Sequence, residues 1–490
     1  MSTFSGISTA LSSLIAQRQA LEVAGQNIAN VNTVGYTRQR ATLAALPSAM
    51  VPSMFSTNNG TGQGTSVSGI DRLADAFLDA RMRTQTSGAA YLSARADAYT
   101  TLEVGVGEPA KTGLASQLST FWGGWADLAN TPDKGSARAV LLNDATAVTD
   151  RIATLYGSAQ TQWTQARTTT VTLVDQVNTA AASVADLNGR ILEITNSGGA
   201  AHELADLRDQ VVTSLSSLVG ATINVQPNGQ LDVLVGGNAL VSGTSAHALA
   251  VTGAVSFGQA TGDSTAVPPV AGQAVSVGWA EHPTRSAALD GGRVAGMLSV
   301  LAPPDAAGTG GMLTEAAVGY DKLATTLATQ VNALHAGAMT VPTPPATTGT
   351  LGGNFFTFAA GRPAALGLTV AITDPAGIAV ATPTGGALDG SVGATIAKLA
   401  SSTTGPDAVW SAAVVAIGGR TASAVSRATV AESSRSTAEA NQLSQSSVDS
   451  DEETVSMLAF QHAYEGAARV LTAIDEMLDT LINRTGMVGR

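Results

Sequence analysis

Apolar residues spaced three and four apart share one helical face, and in this chain that spacing is most regular at the two ends. At the start it runs through Phe4, Ile7, Leu11, Leu14, Leu21, Gly25 and Ile28, broken only by Arg18. At the finish Met457, Phe460, Tyr464, Ala467, Leu471, Ile474, Leu478 and Leu481 keep it without a break. Chain ends ordinarily fray. Seams placed there predict that the two ends pair with each other or with neighbouring subunits. Left alone, each would turn an apolar stripe to water, so both helices are expected to be largely disordered in the monomer and to fold on assembly.

The first seam runs into NIANVNTVGYTRQR, Asn27 to Arg40, where polar residues interrupt it. Ile28 is its last clear member and the next seam position is Asn32, a polar residue suited to fixing register or ending the helix. Asn27 and Asn30 lie three apart on one face, so their amides are placed to cap backbone groups or bridge chains. Gly35 permits the positive φ that turns a chain out of a helix, and Tyr36 offers a ring to bury at the corner. The stretch reads as a hinge between a terminal helix and the outer domains.

Inside these ends the period switches several times. Leu173, Val177, Ala180, Val184, Leu187, Ile191 and Ile194 predict a long helix that stops before Gly198-Gly199. Its partner carries Leu204, Leu207, Val211, Leu215 and Leu218 on one face and closes at Gly220, a residue able to adopt the left-handed cap. The period then falls to two, with Ile223 and Val225, a turn at Asn228-Gly229, and Leu231, Val233 and Val235, which predicts a hairpin. Helix returns over 313–335. Beyond the Pro/Thr/Gly stretch VPTPPATTGTLGG, the segments FFTF, LGLTVAIT and GIAVATP read as strands of a separate lobe. A helical pattern over 409–440 then leads into the last seam.

The fold class expected is α+β and multidomain, which suits 490 residues, more than a single core usually serves. A coiled-coil-like terminal domain would comprise 1–45 plus 446–490. A long-helix rod domain, with hairpin elements around 221–300, would comprise 46–336 plus 407–445. A β-rich insertion would occupy 337–406.

Composition removes several classes of function. The chain carries a net charge of -12 with only four lysines and no basic cluster, which argues against nucleic acid. Cysteine is absent, so disulfides, thiolate metal sites and cysteine nucleophiles are out. No apolar run approaches the ~20 residues of a membrane span, so membrane insertion is not expected. The N-terminus has no basic region before its apolar residues, so any export must use a route other than a signal peptide. The five histidines are scattered, GTGQG at Gly60 to Gly64 reads as a turn, and neither a phosphate loop nor a nucleophile elbow occurs. Thus no metal, cofactor or enzymatic activity is expected. Asp451, Glu452 and Glu453 are the best acidic cluster for hydrolysis, but adjacent helical residues point apart, and acids at a helix start meet its dipole favourably.

Three segments carry a resemblance. NIANVNTVGYTRQR, GQGTSVSGIDRLADAFLDARMRTQ from Gly62 to Gln85, and DEETVSMLAFQHAYEGAARVLTAIDEMLDTLINR from Asp451 to Arg484 resemble the axial flagellar family of rod, hook and hook-filament junction subunits. Rod and hook members have Gly-Phe-Lys after the Asn cluster, whereas Gly35-Tyr36-Thr37-Arg38-Gln39 is similar to the junction version. Many relatives have Gly-Val-Asn-Leu-Asp-Glu-Glu where this chain has SSVDSDEE, from Ser446 to Glu453. The resemblance implies a bacterial structural adaptor, exported unfolded by the flagellar type III apparatus and assembled outside the cell with copies of itself. It further implies the hook protein and the second junction protein as partners, and a cytosolic export chaperone covering Met457 to Leu481. The competing readings are a hook or rod subunit, a hydrolase using the same export route, and an adhesive role for the insertion around Phe355 to Ala400.

Overall fold

The structure is a computed structural model that describes residues 3–47, 62–263, 268–342 and 348–484. The side chain of Phe4, the start of the GTGQG turn and the middle of the Pro/Thr/Gly stretch lie outside the described residues.

Helix α1, Thr3–Ala29, leads through the Asn-rich stretch to an antiparallel pair, β1 at Gln39–Ala45 and β2 at Thr65–Arg72. Four long helices follow: α2 Ala76–Val106, α3 Leu114–Asn130, α4 Gly135–Asn196 and α5 His202–Val219. Asp75 caps α2 by accepting from the backbone N–H groups of Phe77 and Leu78. Helix α4 is 62 residues long and at 1.5 Å per residue extends about 90 Å. The helix expected around 173–194 is therefore the second half of a much longer rod, since the stretch before Leu173 has no Pro and its lone interior Gly157 does not stop it. Gly220 ends α5 with φ +70°, as its position predicts.

The hairpin at Asn228-Gly229 forms as expected. Strands β3 Thr222–Val225, β4 Leu231–Val235, β5 Asn238–Ser242 and β6 Ser245–Ala246 make one antiparallel sheet. A second sheet takes β7 Leu249–Gly253, then, after the short α6 at Phe257–Thr261, β8 Val275–Trp279 and β9 His282–Ser286. The hairpin elements expected around 221–300 stop at Ser286, because Val294, Ala295 and Val300 turn one face of a helix into the core: α7 Gly292–Leu301, which with α8 Met312–His335 closes this part.

The next stretch is not the separate β-rich lobe its alternation suggests. Strands β10 Met339–Thr340 and β11 Phe356–Phe358, helix α9 Ala364–Gly367, strands β12 Leu368–Val370 and β13 Ala379–Ala381, and helix α10 Ser391–Ala397 are all short. Phe355, Phe356, Ile378, Val380 and Ile396 are fully buried in the same core as Phe121 and Trp125 of α3 and Tyr320 of α8. Polar contacts fasten it further. His335 bridges Gly353 and Ala379 through its two ring nitrogens, at 2.7 and 2.9 Å. Arg138 of α4 donates to the carbonyls of Ile378 and Pro132. The segment completes the rod's core because its aromatic pair fills space that α3 and α8 leave open.

Two long helices end the chain, α11 Pro406–Ser446 against α2, and α12 Ser450–Asp479. Within 391–483 an 18-residue stretch reaches mean hydropathy 1.3, sufficient by length and composition for a membrane span, and only 11% of it is buried. That differs from the expectation of no such run. Ala and Val accumulate the value there without a block of bulky apolar residues.

Helix α5 shows how packing overrules a seam read from large residues. The structure buries Asp206, Arg208, Val212, Leu215, Ser216 and Val219 and leaves Leu207 half exposed. Asp206 accepts from the backbone N–H of Thr37, while Arg208 donates to Asn188 and to the carbonyl of Gly229. These buried polar pairs rotate the helix because an unpaired buried charge costs more than an exposed leucine.

Candidate functional site: the paired termini and their exit joint

The two ends of the chain meet. Helices α1 and α12 lie side by side, so the expectation that they are disordered when alone is not what the structure shows. Each supplies the other's missing face, and Asp449 caps α12 by accepting from the backbone N–H groups of Asp451 and Glu452. Helix α12 starts at Ser450, inside SSVDSDEE.

The contact face of α12 is close to the expected seam. Ala467 and Ile474 are buried, and Met457, Phe460, Leu471 and Leu478 are partly covered, while Tyr464 and Leu481 are exposed. Helix α1 packs on β1 and β2 as well as on α12. It buries Ala10, Ala16, Ala20, Val23, Ala24 and Asn27. Ile7, Leu14, Leu21 and Ile28 are only partly covered, and Leu11 is 49% exposed. Small residues let the helices approach closely: a Cβ at Gly6 would stand 2.9 Å from the tip of Ile474.

Asn27 is the node of the joint. Its side chain is buried and uses every hydrogen-bonding position. Nδ2 donates to the Gln39 carbonyl at 2.8 Å and to Glu453 Oε2 at 3.0 Å. Oδ1 accepts from the Tyr36 hydroxyl and from the Gln39 backbone N–H, each at 3.0 Å. One amide thereby holds α1, the start of β1 and the first turn of α12. Asn30 does different work, donating to Gln26 and accepting from Thr33 around the end of its own helix. The two asparagines therefore do not share a task. Asn32 is exposed and lies past the end of α1.

Arg38 extends the node. Its guanidinium contacts Glu453 and Glu452, each at 2.7 Å, and its backbone N–H donates to the carbonyl of Ser446 at the end of α11. Gly35 has φ +80°, and a Cβ there would collide with Gln210, whose side chain donates to the Val34 carbonyl. Arg72 of β2 binds Asp206 and Asp209 of α5 at 2.5 and 2.7 Å. Tyr36 is half-buried, and its hydroxyl is pushed up to about 12, first by burial and then by Asp206, Glu203 and Glu453. The stretch expected to be a hinge is tied by these contacts to α1, α5, α11 and α12. Glu453, Asp206 and Arg72 went unnoticed in sequence as partners of this corner. Glu453 stands in the acidic start of α12 and Arg72 in the second signature segment, while Asp206 carries no signal beyond its charge.

Outside the contact, the pair still shows apolar side chains to water: Leu11 and Ile15 on α1, Val455, Leu458, Val470 and Met477 on α12.

With this geometry, the comparisons with known proteins become specific. Residues 99–356 match the model described as flagellar hook-associated protein FlgK helical domain. Over 521 aligned residues, and the whole of both chains, the sequence is 30% identical to flagellar hook-associated protein 1 of Bacillus subtilis. The chain belongs to the flagellar hook-associated protein 1 family. It is also 30% identical to the Escherichia coli member, over 50% of this chain and 44% of that one. The two ends match wider models of this protein class, residues 7–37 that of the flagella basal body rod protein and 439–484 that of the rod FlgEFG protein C-terminal region. The solved flagellar hook junction protein FlgK from Burkholderia pseudomallei shares the fold at TM-score 0.60 and 16% identity, over 76% of this chain and all of that one. A hook-associated family places the chain in the axial flagellum, outside the cell, as a structural protein.

Proposed function

We propose that this chain is a hook-filament junction adaptor that assembles through the outer face of its paired terminal helices. The observation that carries this reading is the half-finished packing of α1 on α12. Their mutual face is sealed, their outward face is apolar and exposed, and the Asn27-Glu453-Arg38 corner fixes the pair to the rod. Head-to-tail contacts that do not close generate helical assemblies, and a stalk held at a set angle transmits that geometry between neighbours. Copies of the chain, the hook protein and the second junction protein are the partners this surface serves. A cytosolic chaperone covers Met457 to Leu481 before type III export, because that span carries the exposed Leu458, Val470 and Met477 of α12. The chain works by binding alone, without catalysis and without entering a membrane.

The test is the position of labelled protein on isolated flagella. A narrow band between hook and filament is expected, and label spread along the hook or rod would overturn the reading in favour of a hook or rod subunit. Deleting 1–45 and 446–490 is expected to abolish incorporation. A truncated chain that incorporates as well as the full one would remove the terminal pair from the mechanism.

A further inference from the structure

Away from the terminal pair, α2 and α11 enclose a surface groove of about 600 Å³. Arg95 enters it from α2, and Arg420 and Arg427 from α11, beside Leu92, Val415 and Gly419. No carboxylate lines it, in a chain whose acids outnumber its lysines and arginines by 37 to 25. Arg95 is held over the Tyr91 ring, its Cζ 5.6 Å from the centroid, and donates to the Tyr91 hydroxyl. Arg420 donates to the carbonyl of Gly308. Both are thus positioned by neutral groups and keep their positive charge uncompensated by an ion pair among the described residues. Arg427 is exposed on the same face seven residues on from Arg420. Two turns separate this pair by about 10 Å along the axis.

The complementary surface is on this same chain. On α4, Asp186 and Glu193 are both exposed and also seven residues apart. They line one shallow depression together with Ala182, Gly189 and Arg190, the last only 3.9 Å from Asp186. The line continues on the outer face of α4 toward exposed Asp175, so the stripe remains acidic overall. Small residues line both surfaces beside the charges: Gly419, Ser423 and Ala424 on α11, Ala182 and Gly189 on α4. They permit two helices to approach while charged ends meet at a common pitch.

We infer that the arginine groove of α2 and α11 receives the acidic α4 stripe, Asp186 with Glu193, of a second copy of this chain. The two surfaces belong to different helices, so the contact is head-to-tail and continues from copy to copy. It deepens the junction reading and rests on it for its setting, since it supplies an outer contact between subunits that the terminal helices do not reach. Arginine suits the role because its planar donors engage carboxylates in pairs.

The absence of cysteine makes disulfide trapping clean. Full-length Ser423→Cys and Ala182→Cys chains, purified separately, are mixed and oxidised, with Thr120→Cys on α3 replacing Ala182→Cys as control. The expected heterodimer yield exceeds the control by about fivefold or more and falls by a similar factor when ionic strength rises about tenfold. Arg420→Glu with Arg427→Glu on the Ser423→Cys chain is expected to lower the yield. Asp186→Arg with Glu193→Arg on the other chain is expected to restore it. A yield equal to the control, or one indifferent to both salt and charge reversal, overturns the inference. The salt comparison needs no charge variant and reads the contact even if a reversed chain folds poorly. The junction reading is judged separately, by the band of labelled protein on flagella. A band without the trapped dimer sinks only this contact, and the dimer without the band sinks only the junction.

Discussion

The aromatic end of the rod and the terminal helix pair are built on opposite terms. In the rod, Phe121, Trp125, Phe355, Phe356 and Tyr320 are wholly enclosed, with ring centroids 4.9 to 6.3 Å apart among Phe121, Trp125, Phe355 and Phe356. In the pair, Ala467 and Ile474 of α12 and small residues of α1 are buried while Leu11, Ile15, Leu458 and Val470 face water. A chain with 4% aromatic residues has concentrated them where the fold must stand alone. The terminal pair instead leaves several bulky aliphatics outward, where other molecules can bury them. One region is complete as a monomer, and the other is finished only by neighbours.

Several experiments would break or sharpen that contrast. The largest effect is expected from Trp125→Ala, which empties a fully buried site and should cost about 3–5 kcal/mol, read as a lower denaturation midpoint of the rod. A loss below about 1 kcal/mol would mean the aromatic cluster is not the rod's anchor.

Glu453→Ala comes next. It strands the buried Nδ2 of Asn27 and one side of Arg38 and should cost about 1–3 kcal/mol. The loss should be confined to the joint, seen as faster amide exchange over 27–40 and 450–460 with the rod unchanged. Uniform loosening of the whole chain would contradict a separate joint.

A pH effect should divide the regions too. Burial is the main cause holding His335 below its ordinary 6.5, Arg138 adds to it, and the Gly353 carbonyl partly opposes it. The folded ring is neutral, accepting from Ala379 through Nε2, whereas the unfolded chain takes up a proton at about 6.5. Rod stability should therefore be full above that pH and fall as pH drops below it. Melting curves from pH 7 downward check this, and a slope that survives His335→Gln would assign it to another group.

The smallest effect on the monomer is expected from Leu11→Gln with Leu458→Gln, two exposed positions on the terminal pair. Stability should stay within about 0.5 kcal/mol, while incorporation into flagella drops. Normal incorporation would show that this face is not used.

Much of this was legible beforehand. Regular seams marked α1, α8 and α12, Asn228-Gly229 marked the hairpin, and Gly35 and Gly220 marked the positive-φ turns. Each is a local property, set by spacing or by the backbone freedom of glycine. The misreadings share a different cause. Leu207 looked like a core residue until Asp206 and Arg208 found buried partners, and 337–406 looked like a lobe until Phe355 and Phe356 filled the rod. In each case the deciding partner lies far away in sequence, as Glu453 does from Asn27.

The sequence alone marked the terminal helices, the helical stretches around 173–194, 204–218, 313–335 and 409–440, the Asn228-Gly229 turn and the family signatures, because these depend on neighbours within a few residues. Tertiary structure decided which side of each helix faces inward, that the insertion is part of the rod, and which helices the Asn-rich turn is tied to. Those outcomes depend on satisfying buried polar groups and filling volume, and both are settled only when distant segments meet.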